Sequence, residues 1–297
     1  MPMDYEATAK RKSKDSIFAD LFHILRYALQ LVKALHPDTD VNENDIFFAT
    51  LRPVLLNEVY NDLGLLVKDK LLILVEAQST WTLNVLIRSL IYLADTYNGY
   101  IHRQQPKKVN VYGTRKIDFP KPEFYLIYTG KRDDCPEEIT LAKDFFDDKN
   151  AAIDLKMKVI CAEDENSIIG QYIIFCHVLD EQVKLHSRTK KAVEETIRIC
   201  QDRNVLKEYL ESRKKEVVTI MMAMFDQEYA VDAYANERYY DGLDKGRREG
   251  RNEGKIQGAV EMCKNFGASF NETVTKIASQ FGLSFEDSTA CVKKLWA

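Results

Sequence analysis

The sequence predicts an α/β domain followed by a helical region and a helical tail. Segments with helical and strand-like patterns alternate as far as residue 165, and every segment beyond residue 167 has the apolar spacing of a helix. Hydrophobic residues make up 45% and charged residues 30% of the 297-residue chain, a composition typical of folded globular proteins. We therefore expect three parts, at residues 13–165, 166–240 and 241–297.

The α/β part begins with a helix and two strands. Apolar side chains recur three and four positions apart over residues 16–35, which predicts one amphipathic helix. Residues 46–56 and 61–80 are rich in apolar and β-branched side chains, which predicts consecutive strands. Pro53 cannot donate a ladder hydrogen bond, so we expect its strand at a sheet edge or a bulge.

A second helix and two further strands complete this part. The helical spacing returns over residues 83–101, and a basic loop follows at residues 103–121. Residues 122–130 have the pattern of a strand, and residues 155–162 that of a shorter strand.

Three polar side chains converge if residues 61–80 form a β-hairpin. With a three-residue loop at 68–70, Asp62 lies directly opposite Glu76. Directly opposed residues share a face with Cβ atoms about 5 Å apart, and Gln78, two residues on, shares that face. A two-residue loop would send the two acids to opposite faces, so the convergence depends on an odd-numbered loop.

Two carboxylates this close repel each other, and burying either one alone costs free energy. A divalent cation removes both penalties. Carboxylate oxygens, with the backbone carbonyl of Ala77, suit Mg²⁺, with Mn²⁺ as a substitute, and a bound water would become a nucleophile. The alternative is a hairpin that ends at a solvent-exposed rim, where the polar residues only keep the strand ends soluble.

Five segments, in this order, match a known family. They are KDSIFADLF at 14–22, YNDLGLLV at 60–67, LVEAQST at 74–80, IRSLIYLADTY at 87–97 and PEFYLIYTG at 122–130. On these segments the chain resembles the PD-(D/E)XK nuclease superfamily. More closely, it resembles the Rpn family of recombination-promoting nucleases, which are also described as PD-(D/E)XK nuclease family transposases. The glycine-rich, charged tail is similar to the C-terminus of that family.

The resemblance implies a restriction-endonuclease-like core, with a central mixed sheet flanked by helices. It also implies Mg²⁺-dependent hydrolysis of DNA in recombination, transposition or defence. Asp62 and Glu76 would be the catalytic metal ligands, and Gln78 stands where the superfamily usually has lysine. An amide orients a water or a phosphate oxygen but supplies no positive charge, although glutamine is common at this place in the Rpn branch. Asn61 replaces the motif proline.

Further residues are candidates for supporting roles. Asn84, Arg88 and Tyr92 follow one another at one-turn intervals on the second helix, in a row that faces either the phosphate or solvent. Asp15 points towards the metal or caps the first helix. Two basic runs either contact the DNA backbone or are solvated surface. Their residues are Lys10, Arg11, Lys12, Lys14, Arg103, Lys107, Lys108, Arg115 and Lys116.

Net charge, cysteine spacing and the length of apolar runs limit how the protein would bind DNA and where in the cell we expect it. A net charge of −4 means that DNA must bind at a local patch rather than through overall charge. The six cysteines include no CxxC pair, which indicates reduced thiols and no disulfide. No apolar run reaches the ~18 residues of a membrane span, so we expect a cytoplasmic protein without a membrane partner.

The tail raises a different possibility. Glycines stand four residues apart from Gly242 to Gly258, as in a flexible connector or in a stripe that permits close helix contact. Two amphipathic segments follow and favour a small packing or oligomerisation module, through which the chain would form a homo-oligomer. The alternatives to a nuclease are therefore a catalytically silent DNA-binding protein and a helical assembly protein.

Overall fold

A six-stranded mixed sheet with helices on both faces forms the first part of the chain in the computed structural model. The structure describes residues 17–49, 62–103, 111–161 and 164–296. The chain divides into two compact units, Met1–Ala230 and Val231–Ala297. The sheet lies in the first unit and confirms the α/β class that the sequence predicts.

The sheet combines antiparallel and parallel pairs. Its strands are β1 (Ile46–Ala49), β2 (Asp62–Val67), β3 (Leu71–Gln78), β4 (Lys121–Tyr128), β5 (Glu138–Thr140) and β6 (Lys156–Ile160). They are arranged in the order β1-β2-β3-β4-β6-β5. β3 pairs with β4, and β4 with β6, in parallel, whereas the other neighbours are antiparallel. Parallel strands need a crossover, and α3 supplies the one between β3 and β4.

The helices of the first unit surround this sheet. They are α1 (17–22), α2 (Leu25–Leu35), α3 (Asn84–Arg103), α4 (Ile168–His186), α5 (Lys190–Asp202) and α6 (Lys207–Ser212). A 3₁₀ turn at Glu43–Asp45 and a π-helical turn at Leu141–Phe145 lie between strands. Three more helices complete the described chain, namely α7 (Lys214–Asn265), α8 (Phe270–Phe281) and α9 (Phe285–Leu295).

Two elements differ from the sequence prediction. The expected single helix over 16–35 is interrupted, because Ile24 has extended backbone angles (φ −82°, ψ 117°) that a helix cannot contain. Apolar residues are spaced alike on both sides of this break, so periodicity did not reveal it. The three-residue strand β5 was not predicted, because so short a segment shows too little alternation. Pro53 lies outside the described residues.

Each face of the sheet has its own core. Ile73, Val75 and Ala77 of β3 belong to the larger core, together with residues of α1, α2, α4 and α5. Leu72 and Leu74 point to the other face, where α3 covers a smaller core. β3 is therefore buried on both faces, which is why its sequence is a nearly continuous apolar run.

A disulfide corrects the prediction that all six cysteines are reduced. Cys135 and Cys161 are bonded, with their Cα atoms 6.3 Å apart. Cys135 follows β4 and Cys161 follows β6, and the carboxyl ends of paired parallel strands lie at one edge of the sheet. Strand order, which cysteine spacing does not encode, brings them together. Among the residues described, Cys176, Cys200, Cys263 and Cys291 are free thiols.

The second unit is helical and begins within α7. All five spaced glycines lie inside this helix, so of the two alternatives for the glycines the flexible connector is wrong. Further on, the last turns of α7 pack with α8 and α9 around Val260, Ile277 and Val292. Gly282 ends α8 in the left-handed region (φ 64°) that favours glycine. No helix within the described ranges is both long enough and apolar enough to span a bilayer.

Candidate functional site

The β2–β3 hairpin has the predicted register. Residues 68–70 form the loop, Val67 pairs with Leu71, and Asp62 pairs with Glu76. Lys68 (φ 52°) and Asp69 (φ 55°) both adopt left-handed backbone, and the amide of Lys70 donates to the carbonyl of Val67 across 3.0 Å. The description of Asp62 extends to its backbone position only, so the prediction for its carboxylate remains untested.

Glu76 and Gln78 are buried beneath α3. They alternate with Val75 and Ala77 and therefore share a face with Leu74, on the side that α3 covers. Only 6% of Glu76 and 1% of Gln78 is exposed. The alternative of a solvent-exposed rim is therefore wrong for these two residues.

A guanidinium lies against both of these side chains. Arg88, on the second turn of α3, donates from Nη2 to Oε1 of Glu76. The same nitrogen donates to Oε1 of Gln78 across 3.1 Å. The Arg88 side chain is 13% exposed and that of Glu76 is 7% exposed, so the ion pair is largely shielded from water.

The Glu76–Arg88 ion pair changes the expectation of how the buried carboxylate of Glu76 is compensated. The sequence suggested that a bound cation compensates the buried acid, whereas in the structure Arg88 provides the compensating charge for Glu76. A buried carboxylate is tolerated when it is paired and hydrogen-bonded. The burial of Glu76 is thus accounted for by the chain itself.

The donor chemistry nevertheless fits a hard cation. Oε1 of Glu76 and Oε1 of Gln78 converge on one positively charged nitrogen, and oxygen atoms are the ligands that Mg²⁺ prefers. No cluster of three or more His, Cys, Asp or Glu residues suited to a metal occurs in the described part of the chain. Further ligands would have to come from Asp62 and from the carbonyl of Ala77, which remain predictions.

The predicted row on α3 is only partly brought to the site. Arg88 contacts it, and Tyr92, one turn later, is 5% exposed on the covered side of the helix. Asn84 is exposed at the start of α3, where its backbone N–H donates to Oγ1 of Thr82 across 3.2 Å. Asn84 therefore belongs to the beginning of the helix rather than to the buried cluster.

The remaining charged candidates fall in three groups. Four basic residues and Asp15 near the N-terminus, and two lysines of the basic loop, lie outside the described residues, namely Lys10, Arg11, Lys12, Lys14, Asp15, Lys107 and Lys108. Arg103 is described by its backbone at the end of α3. Arg115 and Lys116 are exposed in the loop before β4. That loop enters β4 where Lys121 pairs with Leu71, about 17 Å along β3 from Glu76.

Sequence reasoning missed the residues beyond the carboxyl ends of β3 and β4. A cavity of about 620 Å³ opens there, with Trp81 and Arg132 in its wall. The guanidinium of Arg132 lies 4.1 Å from the centre of the Trp81 ring and also donates to the carboxylate of Asp134. A Cβ at Gly130 would overlap the carbonyl oxygen of Ser79 and the ring of Tyr128, so this turn requires glycine. The sequence signal was the polar GKRDD segment directly after a strand.

Comparisons of the chain with protein-family models, with curated proteins and with solved structures found no match. The class of the protein is therefore defined only by its fold and its candidate site. It is an α/β protein with a mixed six-stranded sheet, a buried cluster of carboxylate, guanidinium and amide groups, and a helical C-terminal region.

Proposed function

We propose that the chain is a Mg²⁺-dependent DNA endonuclease with a PD-(D/E)XK core of the Rpn type, acting in DNA recombination, transposition or defence. The observation that carries the proposal is the hairpin register, which sets Asp62 opposite Glu76. The arrangement of an antiparallel β1-β2-β3 unit followed by parallel β4 also agrees with the strand pattern expected of such a core.

Each residue of the cluster has a defined role in the proposal. Asp62 and Glu76 hold the magnesium ion, assisted by the carbonyl of Ala77. When bound, the ion lowers the pKa of a water molecule and offsets charge on the phosphoryl oxygens. Gln78 orients the attacking water or a phosphate oxygen through its amide.

Arg88 is the residue that must change partners. Its guanidinium has several donors in a planar fork, a geometry that matches phosphate as well as carboxylate. In the proposed reaction Arg88 leaves Glu76 and donates to the phosphate next to the cleaved bond. It would supply there the positive charge that Gln78, in place of lysine, does not carry.

A plasmid-nicking assay tests the proposal. We expect the purified full chain to nick supercoiled plasmid in Mg²⁺ or Mn²⁺, and we expect Asp62→Ala and Glu76→Ala each to reduce nicking at least ~100-fold, since each removes a metal ligand. Glu181→Ala, which removes an exposed carboxylate from α4, is the matched control and should retain full activity. Nicking that persists in both site variants would show that these residues do not carry the activity.

A catalytically silent DNA-binding protein is the second candidate. The Glu76–Arg88 pair favours it, because the buried charge is balanced without a metal. This protein would shift a labelled DNA duplex equally well with and without Mg²⁺ and would leave it intact. Salt dependence of the shift would report phosphate contacts.

Helical self-assembly through α7 is the third candidate. A Cβ placed at any of the five spaced glycines would meet nothing within 4 Å in the described chain, so the row is open. Arg247, Arg251 and Lys255 directly follow three of these glycines, whereas Asp241, Glu249 and Glu253 directly precede three of them, with Lys245 as the exception before Gly246. The glycine row thus has a basic flank and a mainly acidic flank. In a parallel pair of identical helices, unlike flanks face each other, whereas an antiparallel pair would bring like charges together.

Sedimentation velocity of the full chain tests this assembly. We expect Gly250→Leu to lower the oligomeric state, because the side chain blocks close approach of two helices. Asn252→Leu adds the same side chain on the opposite face of α7 and should leave the oligomer intact. Equal behaviour of both variants would exclude the glycine row as the interface.

A further inference from the structure

The segment that follows β4 is anchored by backbone hydrogen bonds only near its two ends. The N–H of Thr129 donates to the carbonyl of Gln78 across 2.9 Å, and the N–H of Val159 donates to the carbonyl of Glu137 across 2.8 Å. Between these bonds lie residues 130–136, the 130–136 loop, of which residues 131–134 are exposed. No backbone hydrogen bond joins residues 130–136 to another segment of the described chain.

One ring contact and one covalent bond hold the middle of the 130–136 loop. The guanidinium of Arg132 lies 4.1 Å from the centre of the Trp81 ring, and Cys135 is bonded to Cys161 after β6. The hydrogen bonds from Arg132 to Asp134 stay within the loop, so they do not tie it to the sheet. A segment with so few contacts opens at low cost in free energy. Breaking the Cys135–Cys161 bond should therefore release the loop.

The sheet itself does not depend on this bond. β4 and β6 are paired from Phe124 and Met157 to Ile127 and Ile160. β5 pairs with the other edge of β6, and the smaller core buries side chains of all three strands. Strand pairing and burial thus keep the ends of β4 and β6 together when the cysteines are reduced. The thiols therefore stay close enough to bond again.

A small thiol can react at this pair and not at the other cysteines of the first unit. Cys135 and Cys161 are both partly exposed, and Cys135 lines the cavity of about 620 Å³ beyond the carboxyl ends of β3 and β4. A cavity of about 150 Å³ holds benzene, so a small thiol fits in this one. Cys176 and Cys200 are buried in the larger core, on the opposite face of the sheet. Thiol–disulfide exchange in the folded first unit is therefore confined to Cys135 and Cys161.

We propose that the Cys135–Cys161 disulfide is a reversible redox switch, which fixes the 130–136 loop when oxidised and releases it when reduced. Release withdraws Arg132 from Trp81 and so changes the wall of the cavity. The loop begins directly after Thr129, whose N–H binds the carbonyl of Gln78, so the switch acts at the edge of the candidate site. The switch does not rest on the proposed endonuclease activity.

A small thiol such as glutathione supplies the electrons. Its thiolate attacks one sulfur of the pair and forms a mixed disulfide, while the Cys135–Cys161 bond breaks and the other cysteine leaves as a thiolate that takes a proton from water. A second glutathione thiolate attacks the glutathione sulfur of the mixed disulfide. This step releases the second cysteine and oxidised glutathione. Two glutathione molecules thus lose two electrons and the pair gains two, and the reverse sequence restores the bond.

Limited trypsin digestion of the full chain, read by mass spectrometry, tests the release of the loop. Lys131 and Arg132 are exposed cleavage sites within it. After treatment with dithiothreitol, which is removed before trypsin is added, we expect cleavage at these two sites to be at least ~10-fold faster than after treatment with oxidised glutathione. Cleavage after Arg115 and Lys116, in the exposed loop before β4, is the internal control and should not depend on the treatment.

Tryptophan fluorescence follows the same change without a protease. In a Trp296→Phe background Trp81 is the only tryptophan. Its emission should move to longer wavelength on reduction, because Arg132 no longer covers the ring, and should return when oxidised glutathione is added. Reversal of the shift distinguishes a switch from damage to the fold.

Three cysteine variants assign the response to this pair. Cys135→Ser and Cys161→Ser each prevent the bond, so both should show the fast cleavage after either treatment. Cys291→Ser removes a partly exposed thiol from α9, is the matched control and should keep the full redox response.

Two results would overturn the proposal. The first is equal cleavage at Lys131 and Arg132 of the unmodified chain after both treatments. The second is loss of far-UV circular dichroism on reduction, which would make the disulfide a support of the fold rather than a switch. These measurements involve no DNA, so failure of the switch and failure of the endonuclease proposal are distinguishable.

Discussion

Replacing Arg88 by methionine should reveal the energetic coupling in the buried cluster. The change keeps the length and apolar contacts of the side chain but removes the charge that offsets Glu76. Because Glu76 and Arg88 have side-chain exposures of only 7% and 13%, water compensates little of the loss. Breaking a buried pair from one side costs about 3–5 kcal/mol, and we expect Arg88→Met to fall in this range.

The complementary variant and the double variant separate the pair energy from other effects. In Glu76→Gln the residue left without its ionic partner is Arg88, which is less deeply buried than Glu76 and still donates to Gln78. We therefore expect a smaller loss of unfolding free energy, about 2 kcal/mol. The double variant removes both charges and should lose no more than the Glu76→Gln variant. The resulting coupling free energy should be at least about 3 kcal/mol, well above the level at which separate sites are additive.

Urea unfolding followed by tryptophan fluorescence measures these values. Trp81 lies in the first unit and Trp296 in the second, so a Trp296→Phe background makes the signal specific for the unit that contains the sheet. A coupling free energy below about 0.5 kcal/mol would refute the reasoning that Arg88 neutralises Glu76 in the folded state.

Three further predictions concern other parts of the chain. Gly130→Ala should lower the free energy of unfolding by about 1–3 kcal/mol, because the added methyl group overlaps the neighbouring backbone, whereas Gly246→Ala in α7 should be neutral or stabilising. Burial raises the pKa of Glu123, but hydrogen bonds from Tyr125 and Lys121 outweigh this effect and hold the pKa below its usual value. Glu123→Gln should therefore cost about 1 kcal/mol at pH 7, and this cost should be lost as the pH falls through the lowered pKa of the carboxyl group in the folded state. A cost that stays constant as the pH is lowered, measured by urea unfolding across the acid range, would contradict this. Burial raises the pKa of the Cys200 thiol to about 12, so iodoacetamide at pH 8 should label the partly exposed Cys291 and spare Cys200 until the chain unfolds, as peptide mass spectrometry would show.

The hairpin was predictable because its determinants are local. A three-residue loop and the two-residue period of a strand together fix which residues are opposed, and both can be counted along the chain. The same holds for the type of most elements, since an apolar stripe of helical spacing or a run of β-branched residues reflects the backbone conformation itself. The break at Ile24 escaped prediction because side-chain periodicity does not report the backbone angles of one residue.

Distant contacts required the tertiary structure. Arg88 was recognised as a candidate, but its pairing with Glu76 depends on how α3 crosses the sheet. Likewise the Cys135–Cys161 bond follows from the pairing of β4 with β6.

The sequence by itself determined the kinds of elements, the hairpin register and the oxygen-bearing residues that the register sets on one face. Only the tertiary structure decided that Glu76 and Gln78 are buried, that the guanidinium of Arg88 neutralises Glu76, and that the same guanidinium donates to Gln78. The physical reason is that periodicity encodes which side of an element is apolar, whereas strand order and helix crossing determine which groups from distant segments meet.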